Sequence, residues 1–360
     1  MGRTVSARTL VAALVVSCAV ALAPAAAGAQ SPRAASARAR STLAFVSNEG
    51  ARTVSVVDLA ARRVVATIPV PARPRGIQVS PDGRSVYVAL SDEQPNVQSP
   101  GDAIVEIDVA TRKIVARHAS GTDPEQFAVT PDGTRLYAAN EDAGTASATD
   151  LRTRGVLATF VVGIEPEGVA VSPDGRWIYV TAETSNSVSM IDVRANKVVA
   201  NVLVDVRPRA VAFSPDGRRA YVTAEIGGTL TVIDVATRAI VGTVELEEME
   251  GKPVGVAASP DGRRVYVANG AAGRVSVVDA KSLRVLRSIP VGRRPWAVAV
   301  SGDGRFVYTV NGLSNDVSVV DAAAGRVVAR IPVGERPWGM ALVPSQPSPP
   351  LRSRTRSAKD

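Results

Sequence analysis

Residues 166–204 read PEGVAVSPDGRWIYVTAETSNSVSMIDVRANKVVANVLV, and seven units of this kind fill the chain from residue 42 to residue 345. Each unit contains short runs rich in Val, Ile, Ala and Tyr, separated by turn residues. Runs of this length and composition are typical of β-strands. Each unit therefore predicts a four-stranded antiparallel sheet, whose strands here are 168–172, 177–181, 187–192 and 197–204.

Two landmarks set the register of the repeat. An aspartate closes the third strand of every unit, and Ser-Pro-Asp-Gly or a close variant precedes the second strand of six. Proline and glycine suit the successive positions of a tight turn, and an aspartate can accept backbone N–H groups there. Because these residues recur with the unit, we interpret them as structural. The closing aspartates are Asp58, Asp108, Asp150, Asp192, Asp234, Asp279 and Asp321.

The repeat predicts how the sheets assemble. One four-stranded sheet cannot bury both of its faces, but seven sheets can do so by closing radially into a ring of blades. The first unit lacks an opening strand before Phe45, and residues 337–344 repeat that strand at the far end. We therefore predict an all-β, seven-bladed β-propeller of four-stranded antiparallel blades. Its ring is closed by pairing of the N-terminal strands (43–70) with the C-terminal strand.

The flanks predict an exported protein. Residues 1–29 have the parts of a secretory signal peptide, namely Arg3 and Arg8, an apolar run over 10–22 and a small-residue cleavage site. The apolar run is too short to span a bilayer. We expect cleavage near Ala29 and a periplasmic or secreted protein, with lipoprotein processing at Cys18 as the alternative. Around the propeller (42–345) we expect a flexible basic linker (30–41) and a disordered basic tail (346–360).

Composition excludes several classes of function. The net charge of +8 lies entirely in the two tails, so the propeller is formally neutral. No aromatic residue accompanies the tail arginines for base stacking, which argues against a nucleic-acid partner. The chain has no catalytic or phosphate-binding motif. Its one histidine, His118, has no partner in the sequence for a metal or haem site, and we expect it to be an ordinary surface residue. We expect a monomer with no catalytic or metal-binding residue and no cofactor, although PQQ or a divalent cation stays open without a motif to hold it.

Breaks in the repeat point to a binding face. Insertions enlarge the segments 91–102 and 245–251, which join strands on the same side of the disc. Insertions confined to one face of a repeat protein mark its binding surface. That face also carries the residue after each blade-opening proline and the ends of the second strands. We predict that a bowl around the central channel is lined by Arg75, Glu125, Glu167, Arg209, Trp296, Trp338, Asn140, Glu141, Glu183, Glu225, Asn269 and Asn311.

The predicted bowl is asymmetric. Acids and arginines occupy one arc, and cross-blade ion pairing alone is an alternative explanation for them. Trp296 and Trp338 occupy equivalent positions in adjacent blades of a chain with only 4% aromatic residues. We expect them to form a partly exposed apolar wall suited to a planar ligand or a partner's side chain.

Several stretches carry a family resemblance. The sequence SPDG at 172–175 with IYVT at 178–181 resembles the YVTN-type β-propeller repeat. Four longer stretches are similar to the PQQ-dependent catabolism-associated β-propeller family: DPEQFA at 123–128, NVLVD at 201–205, AEIGGT at 224–229 and NGLSNDV at 311–317. The resemblance implies an exported, non-catalytic protein linked to quinoprotein alcohol oxidation. Its implied partners are a quinoprotein dehydrogenase or a transport component.

These observations favour a binding or accessory propeller of PQQ-dependent alcohol catabolism, with a small organic ligand or a partner protein in the bowl. Two alternatives stay open. One is a lactonase-like hydrolase in which Glu183 or Glu225 acts together with Arg209 on a lactone. The other is a surface scaffold or adhesion propeller that binds no small molecule.

Overall fold

The computed structural model of the 360-residue chain describes residues 43–91, 99, 101–246 and 251–344. All regular secondary structure in these ranges is β-strand. Over the same residues, no helix is long and apolar enough to cross a bilayer. The predicted signal peptide, basic linker and basic tail, together with Cys18, lie outside the described residues.

Seven four-stranded antiparallel sheets form the blades, which confirms the predicted propeller. Every strand is six or seven residues long. In chain order the strands are β1 (Leu43–Asn48), β2 (Thr53–Asp58), β3 (Arg63–Pro69), β4 (Arg73–Val79), β5 (Ser85–Ser91), β6 (Ala103–Asp108), β7 (Lys113–His118), β8 (Pro124–Val129), β9 (Arg135–Asn140), β10 (Thr145–Asp150), β11 (Val156–Val161), β12 (Pro166–Val171), β13 (Trp177–Ala182), β14 (Ser187–Asp192), β15 (Lys197–Leu203), β16 (Pro208–Phe213), β17 (Arg219–Ala224), β18 (Thr229–Asp234), β19 (Ala239–Glu245), β20 (Pro253–Ala258), β21 (Arg264–Asn269), β22 (Arg274–Asp279), β23 (Val285–Pro290), β24 (Pro295–Val300), β25 (Phe306–Asn311), β26 (Asp316–Asp321), β27 (Arg326–Pro332) and β28 (Pro337–Leu342).

Blade 1 has the strand order β28-β1-β2-β3, and blades 2 to 7 take four consecutive strands each from β4 to β27. The first strand of each order is the inner strand, which packs against the inner strands of both neighbouring blades. Inner strands begin at or beside a proline, which a strand edge tolerates because the missing N–H has no partner to lose there. A Cβ atom added at Gly76 would lie 2.6 Å from the carbonyl oxygen of Glu125 in the next inner strand. Glycine therefore permits the close approach of these two blades.

The recurring turns have the structural role that the sequence predicted. In the first Ser-Pro-Asp-Gly turn the hydroxyl of Ser80 donates to Asp82 Oδ1 at 2.6 Å, and the backbone N–H of Arg84 donates to the same oxygen at 3.0 Å. These two hydrogen bonds lower the pKa of Asp82. Gly83 adopts a φ of 71°, which favours glycine. All of these turns lie on the face opposite the blade-opening prolines.

The hydrophobic core lies between blades. The repeated aromatic of the second strand is fully buried at Phe45, Tyr137, Tyr179 and Tyr221. Each packs in a cluster that contains residues of an adjacent blade, as Tyr137 does with Ile178 and Val180. Because both faces of a blade are covered by its neighbours, no blade has a complete core of its own.

The ring closes in blade 1. Strand β28 pairs antiparallel with β1, where Ala44 lies opposite Leu342 and Phe45 opposite Ala341. The N–H of Val343 donates to the carbonyl of Leu43 at 2.9 Å, which extends the pairing past the strand. The predicted closure of the ring by the two ends of the propeller is therefore confirmed.

We predict that the inner strand of blade 1 is essential and that the chain beyond Pro344 is not. Deleting residues 337–360 removes β28, exposes the edge of β1 and uncovers the apolar sides of two neighbouring blades. Deleting residues 345–360 removes no described contact. The longer deletion should abolish cooperative thermal unfolding, and the shorter one should leave the melting temperature of the full chain unchanged. Equal melting temperatures for both truncations would contradict this.

Candidate functional site

Two rings of side chains line the mouth of the propeller on the proline face. The lower ring is the predicted one, formed by the residue after each blade-opening proline: Arg75, Glu125, Glu167, Arg209, Val254, Trp296 and Trp338. The upper ring is formed by the residue before each proline, and sequence analysis missed it. All seven of its members are charged: Arg73, Asp123, Glu165, Arg207, Lys252, Arg294 and Arg336.

The backbone of the upper ring holds four glutamates in place. We call these the loop glutamates, because each directly follows the second strand of its blade: Glu49, Glu141, Glu183 and Glu225. Six of its residues are left-handed, with φ between 45° at Asp123 and 61° at Arg207, a conformation that costs a non-glycine residue of order 1–3 kcal/mol. Their carbonyl oxygens accept the N–H of the residue that follows the second strand. Asp123 accepts from Glu141 at 3.1 Å and Arg207 accepts from Glu225 at 2.8 Å. The loop glutamates therefore lie directly beside both rings.

Arginines and glutamates form a buried network in blades 4 and 5. The Arg209 guanidinium is ion-paired with Glu183 and lies 3.2 Å from Glu167 and 3.7 Å from Glu225. Arg207 bridges two of the loop glutamates, at 2.8 Å from Glu183 and 3.2 Å from Glu225. Cross-blade ion pairing, the alternative explanation for these charges, therefore accounts for much of this arc.

Glu225 has the most cationic partners of these carboxylates. Arg294 of blade 7 reaches its Oε1 at 3.2 Å, in addition to the two arginines of blade 5. The Arg294 guanidinium also lies 4.3 Å from the centroid of the Trp296 ring, and that of Arg209 lies 5.5 Å from it. Three guanidinium groups thus converge on the Glu225 carboxylate, and the Trp296 ring lies beside two of them. Of the Arg207 side chain, 43% is exposed to solvent.

A second charged cluster lies in blades 1 to 3. Arg75 donates to Glu125 at 2.8 Å and lies 3.3 Å from Glu49, and Arg73 lies 3.1 Å from Asp123. Burial raises the pKa of Glu125 well above its usual range; Arg75 opposes this shift, and Glu167 and Glu141 add to it. Burial would lower the pKa of Arg75, but Glu125 and Glu167 raise it above its ordinary value.

Glu141 differs from its counterparts Glu183 and Glu225. It makes no ion pair with a residue that the structure describes, whereas both counterparts are paired with arginines. Burial raises the pKa of Glu141, and the nearby charges of Glu167 and Asp123 raise it further.

The two tryptophans do not share one environment. Trp338 is only 6% exposed, contrary to the expectation of a partly exposed wall, whereas Trp296 is half-buried. Both line the central channel, a cavity of about 150 Å³ whose walls include Ile77, Phe127 and Met340. Of the two tryptophans, only Trp296 therefore keeps a substantial part of its side chain accessible to solvent.

The asparagines at the ends of the second strands belong to the blades. Asn140, Asn269 and Asn311, predicted as bowl residues, are at most 2% exposed. Their side chains hydrogen-bond within the blade, as Asn311 Nδ2 does to Ser318 Oγ at 2.9 Å, and Asn140 Oδ1 accepts the backbone N–H of Gly121 at 2.9 Å. These contacts give the asparagines a structural role, and we leave them out of the site.

Two further expectations fall outside the bowl. The predicted insertions occupy segments that lie largely outside the described residues. His118, expected at the surface, is 1% exposed, and its Nε2 lies 3.0 Å from Glu106 Oε2. The expectation rested on the place of His118 at the end of the outer strand β7, where its ring in fact packs against Tyr87 of the same blade, with 5.6 Å between the ring centroids.

The comparisons with known proteins agree with this architecture. The family model described as "Lactonase, 7-bladed beta-propeller" matches residues 17–162 and 195–330. The chain belongs to this family. No curated protein matches it.

Solved structures share the fold at low identity. Hydrazine synthase of Kuenenia stuttgartiensis is 24% identical with a TM-score of 0.70, over 79% of this chain and 93% of that one. A candidate 6-phosphogluconolactonase of Bacteroides uniformis is 19% identical with a TM-score of 0.69, over 84% and 100%. A Desulfotomaculum acetoxidans protein of unknown function is 18% identical with a TM-score of 0.72, over 85% and 100%. At these identities the likeness shows the fold alone.

We predict that the two tryptophans contribute unequally to stability. Trp338→Ala removes a buried ring and should lower the free energy of unfolding by about 3–5 kcal/mol, as is typical of a core tryptophan. Trp296→Ala should cost roughly half of that because part of its ring is already in water. Chemical denaturation of both variants measures the difference, with Asp174→Asn on the opposite face as the surface control. A larger cost at Trp296 would show that its ring acts as a wedge between blades.

Proposed function

We propose that this protein hydrolyses a lactone in the bowl. The observation that carries the proposal is the convergence of Arg207, Arg209 and Arg294 on the Glu225 carboxylate, with the half-buried Trp296 ring beside two of these arginines. Membership of the seven-bladed lactonase family supports it. The proposal favours the alternative reading of the sequence over a purely non-catalytic role.

The arrangement suits the charge changes of ester hydrolysis. When water adds to the lactone carbonyl carbon, the carbonyl oxygen becomes negatively charged. The exposed guanidinium of Arg207, supported by Arg294, would stabilise that negative charge. Glu225 would accept the proton of the attacking water as the new C–O bond forms. The ring C–O bond then breaks, and the departing oxygen takes that proton to give a hydroxy acid. Arg209, more deeply buried, holds Glu225 and Glu183 in position.

The side of the bowl that carries Lys252, Arg294 and Arg336 suggests the class of substrate. Lys252 and Arg336 of the upper ring make no ion pair with any residue in the described ranges, and Arg294 lies between them. Arg294 lies over the Trp296 ring at 4.3 Å from its centroid, and the accessible part of that half-buried ring offers an apolar surface to a saturated ring. We infer a cyclic ester with an anionic substituent, which is the chemistry named by the candidate 6-phosphogluconolactonases that share the fold.

A second candidate is supported by sequence rather than by geometry. All four stretches similar to the PQQ-dependent catabolism-associated family reach the bowl face, at 123–128, 201–205, 224–229 and 311–317. In that case the exported protein would bind a small organic ligand, or a quinoprotein dehydrogenase or transport component, in the same bowl. In either case we propose a periplasmic or secreted location, on the signal-peptide features of residues 1–29.

We predict lactone turnover that depends on the arginine–glutamate cluster. In a pH-stat assay with neutral and phosphorylated sugar lactones, the wild type should hydrolyse at least the anionic substrate. Arg207→Met and Glu225→Gln should each lower kcat/KM by at least about 100-fold, the scale of losing one oxyanion donor.

The opposite-face variant Asp174→Asn is the matched control and should retain full activity. A wild type that opens no lactone but binds PQQ, an alcohol or an aldehyde, with binding lost on Trp296→Ala, would favour the second candidate. Equal turnover by all variants would place the reaction elsewhere.

A further inference from the structure

The charge pattern of the two rings breaks between blades 3 and 4. There the upper ring carries Asp123 and Glu165 and the lower ring carries Glu125 and Glu167, whereas the equivalent positions of blades 2 and 5 are all arginine. The loop glutamate of blade 3, Glu141, consequently makes no ion pair with an arginine of the described residues, although the charge of Arg75 acts on it from a distance. Three of these four acids are ion-paired with arginines of blades 2 and 5, which leaves Glu141 as the bowl carboxylate of blade 3 without an ion pair among the described residues.

Three carboxylates of this region lie close together. One oxygen each from Asp123, Glu125 and Glu141 lies within 4.8 Å of the other two. Calcium binds oxygen ligands at about 2.3–2.6 Å, so ligands on opposite sides of the ion are about 4.6–5.2 Å apart. Three oxygens that are no farther apart than 4.8 Å can contact one calcium ion.

Glu125 points to a bound cation independently, because one of its two buried carboxylate oxygens accepts no hydrogen bond. Its side chain is 0% exposed. Oε2 accepts a hydrogen bond from Arg75 at 2.8 Å, but Oε1 accepts none, and its ion-pair contact with Arg73 Nη2 is at 4.0 Å. A buried carboxylate oxygen without a donor is costly. A cation bound to Oε1 would remove that cost.

The formal charges require the same compensation. Arg73 and Arg75 face four carboxylates, those of Glu49, Asp123, Glu125 and Glu141. The cluster has an excess of two negative charges, which one divalent cation would neutralise. Hard oxygen ligands favour calcium or magnesium over zinc or copper.

We propose that Asp123, Glu125 and Glu141 form a calcium site at the edge of the bowl, with the remaining coordination positions filled by water or by an oxygen of a bound ligand. The sequence predicted no metal-binding residue here because the three carboxylates come from two separate segments of blade 3. Half-buried Asp123 and Glu141 give the ion a path from solvent. The site stands on its own contacts and does not rest on the proposed hydrolysis.

The test is calcium binding to the EDTA-treated full chain. Isothermal titration with CaCl2 should show one site with a Kd of about 10⁻⁵–10⁻³ M, in the range of weak sensor and extracellular sites, and calcium should raise the melting temperature. Glu141→Gln should weaken binding at least tenfold. Asp123→Asn should do the same while keeping the left-handed backbone, which asparagine tolerates.

Glu183→Gln is the matched control, because Glu183 has the same loop position in blade 4 but is paired with arginines; calcium binding should be unchanged in it. Absence of calcium and magnesium binding up to about 10 mM would overturn the proposal. In that case, a higher melting temperature for Glu141→Gln would show that the charge of Glu141 beside Glu125 is unfavourable and that no bound cation offsets it. Binding that survives both ligand substitutions would place the ion elsewhere. None of these results depends on lactone turnover.

Discussion

The pairing of β28 with β1 is the constraint on which the structure depends. It closes the ring, and a closed ring brings seven inner strands around one channel with their first residues at the same end. Side chains separated by up to 263 positions in the chain, such as those of Arg75 and Trp338, then come into contact across the mouth. Without closure, neither the two rings nor the bowl between them would exist.

Closure also determines the electrostatics of the bowl. The adjacent blades bury the charged side chains at the start of each inner strand. Each of these side chains therefore needs an oppositely charged partner among the other residues of the two rings and the loop glutamates. Arg209 satisfies three glutamates in this way. Removing one partner of such a buried network is expensive, whereas the network as a whole adds little net stability. Its retention is more readily explained by a role in binding charged ligands than by folding alone.

How much of this could be predicted from sequence depended on the repeat. The period fixed the strands, the turns, the closing strand and the lower ring, because each recurs at constant spacing. The upper ring was overlooked although its signal is present, since the residue before every blade-opening proline is charged. The burial of Trp338 and His118 and the internal role of Asn311 could not be read from the period. They depend on side-chain contacts made across a blade or between blades, and the spacing of residues along the chain does not contain that information.

The central claim is that the two rings form the functional site, and a ligand-bound crystal structure tests it most directly. Crystals would be grown with a phosphorylated lactam, an analogue that resists hydrolysis of its ring. The account predicts that the analogue lies in the bowl, with its carbonyl oxygen at Arg207, its ring on Trp296 and its phosphate near Arg294, Lys252 or Arg336. An analogue bound in the opposite-face groove beside Pro131 and Asp174, with the bowl empty, would contradict it.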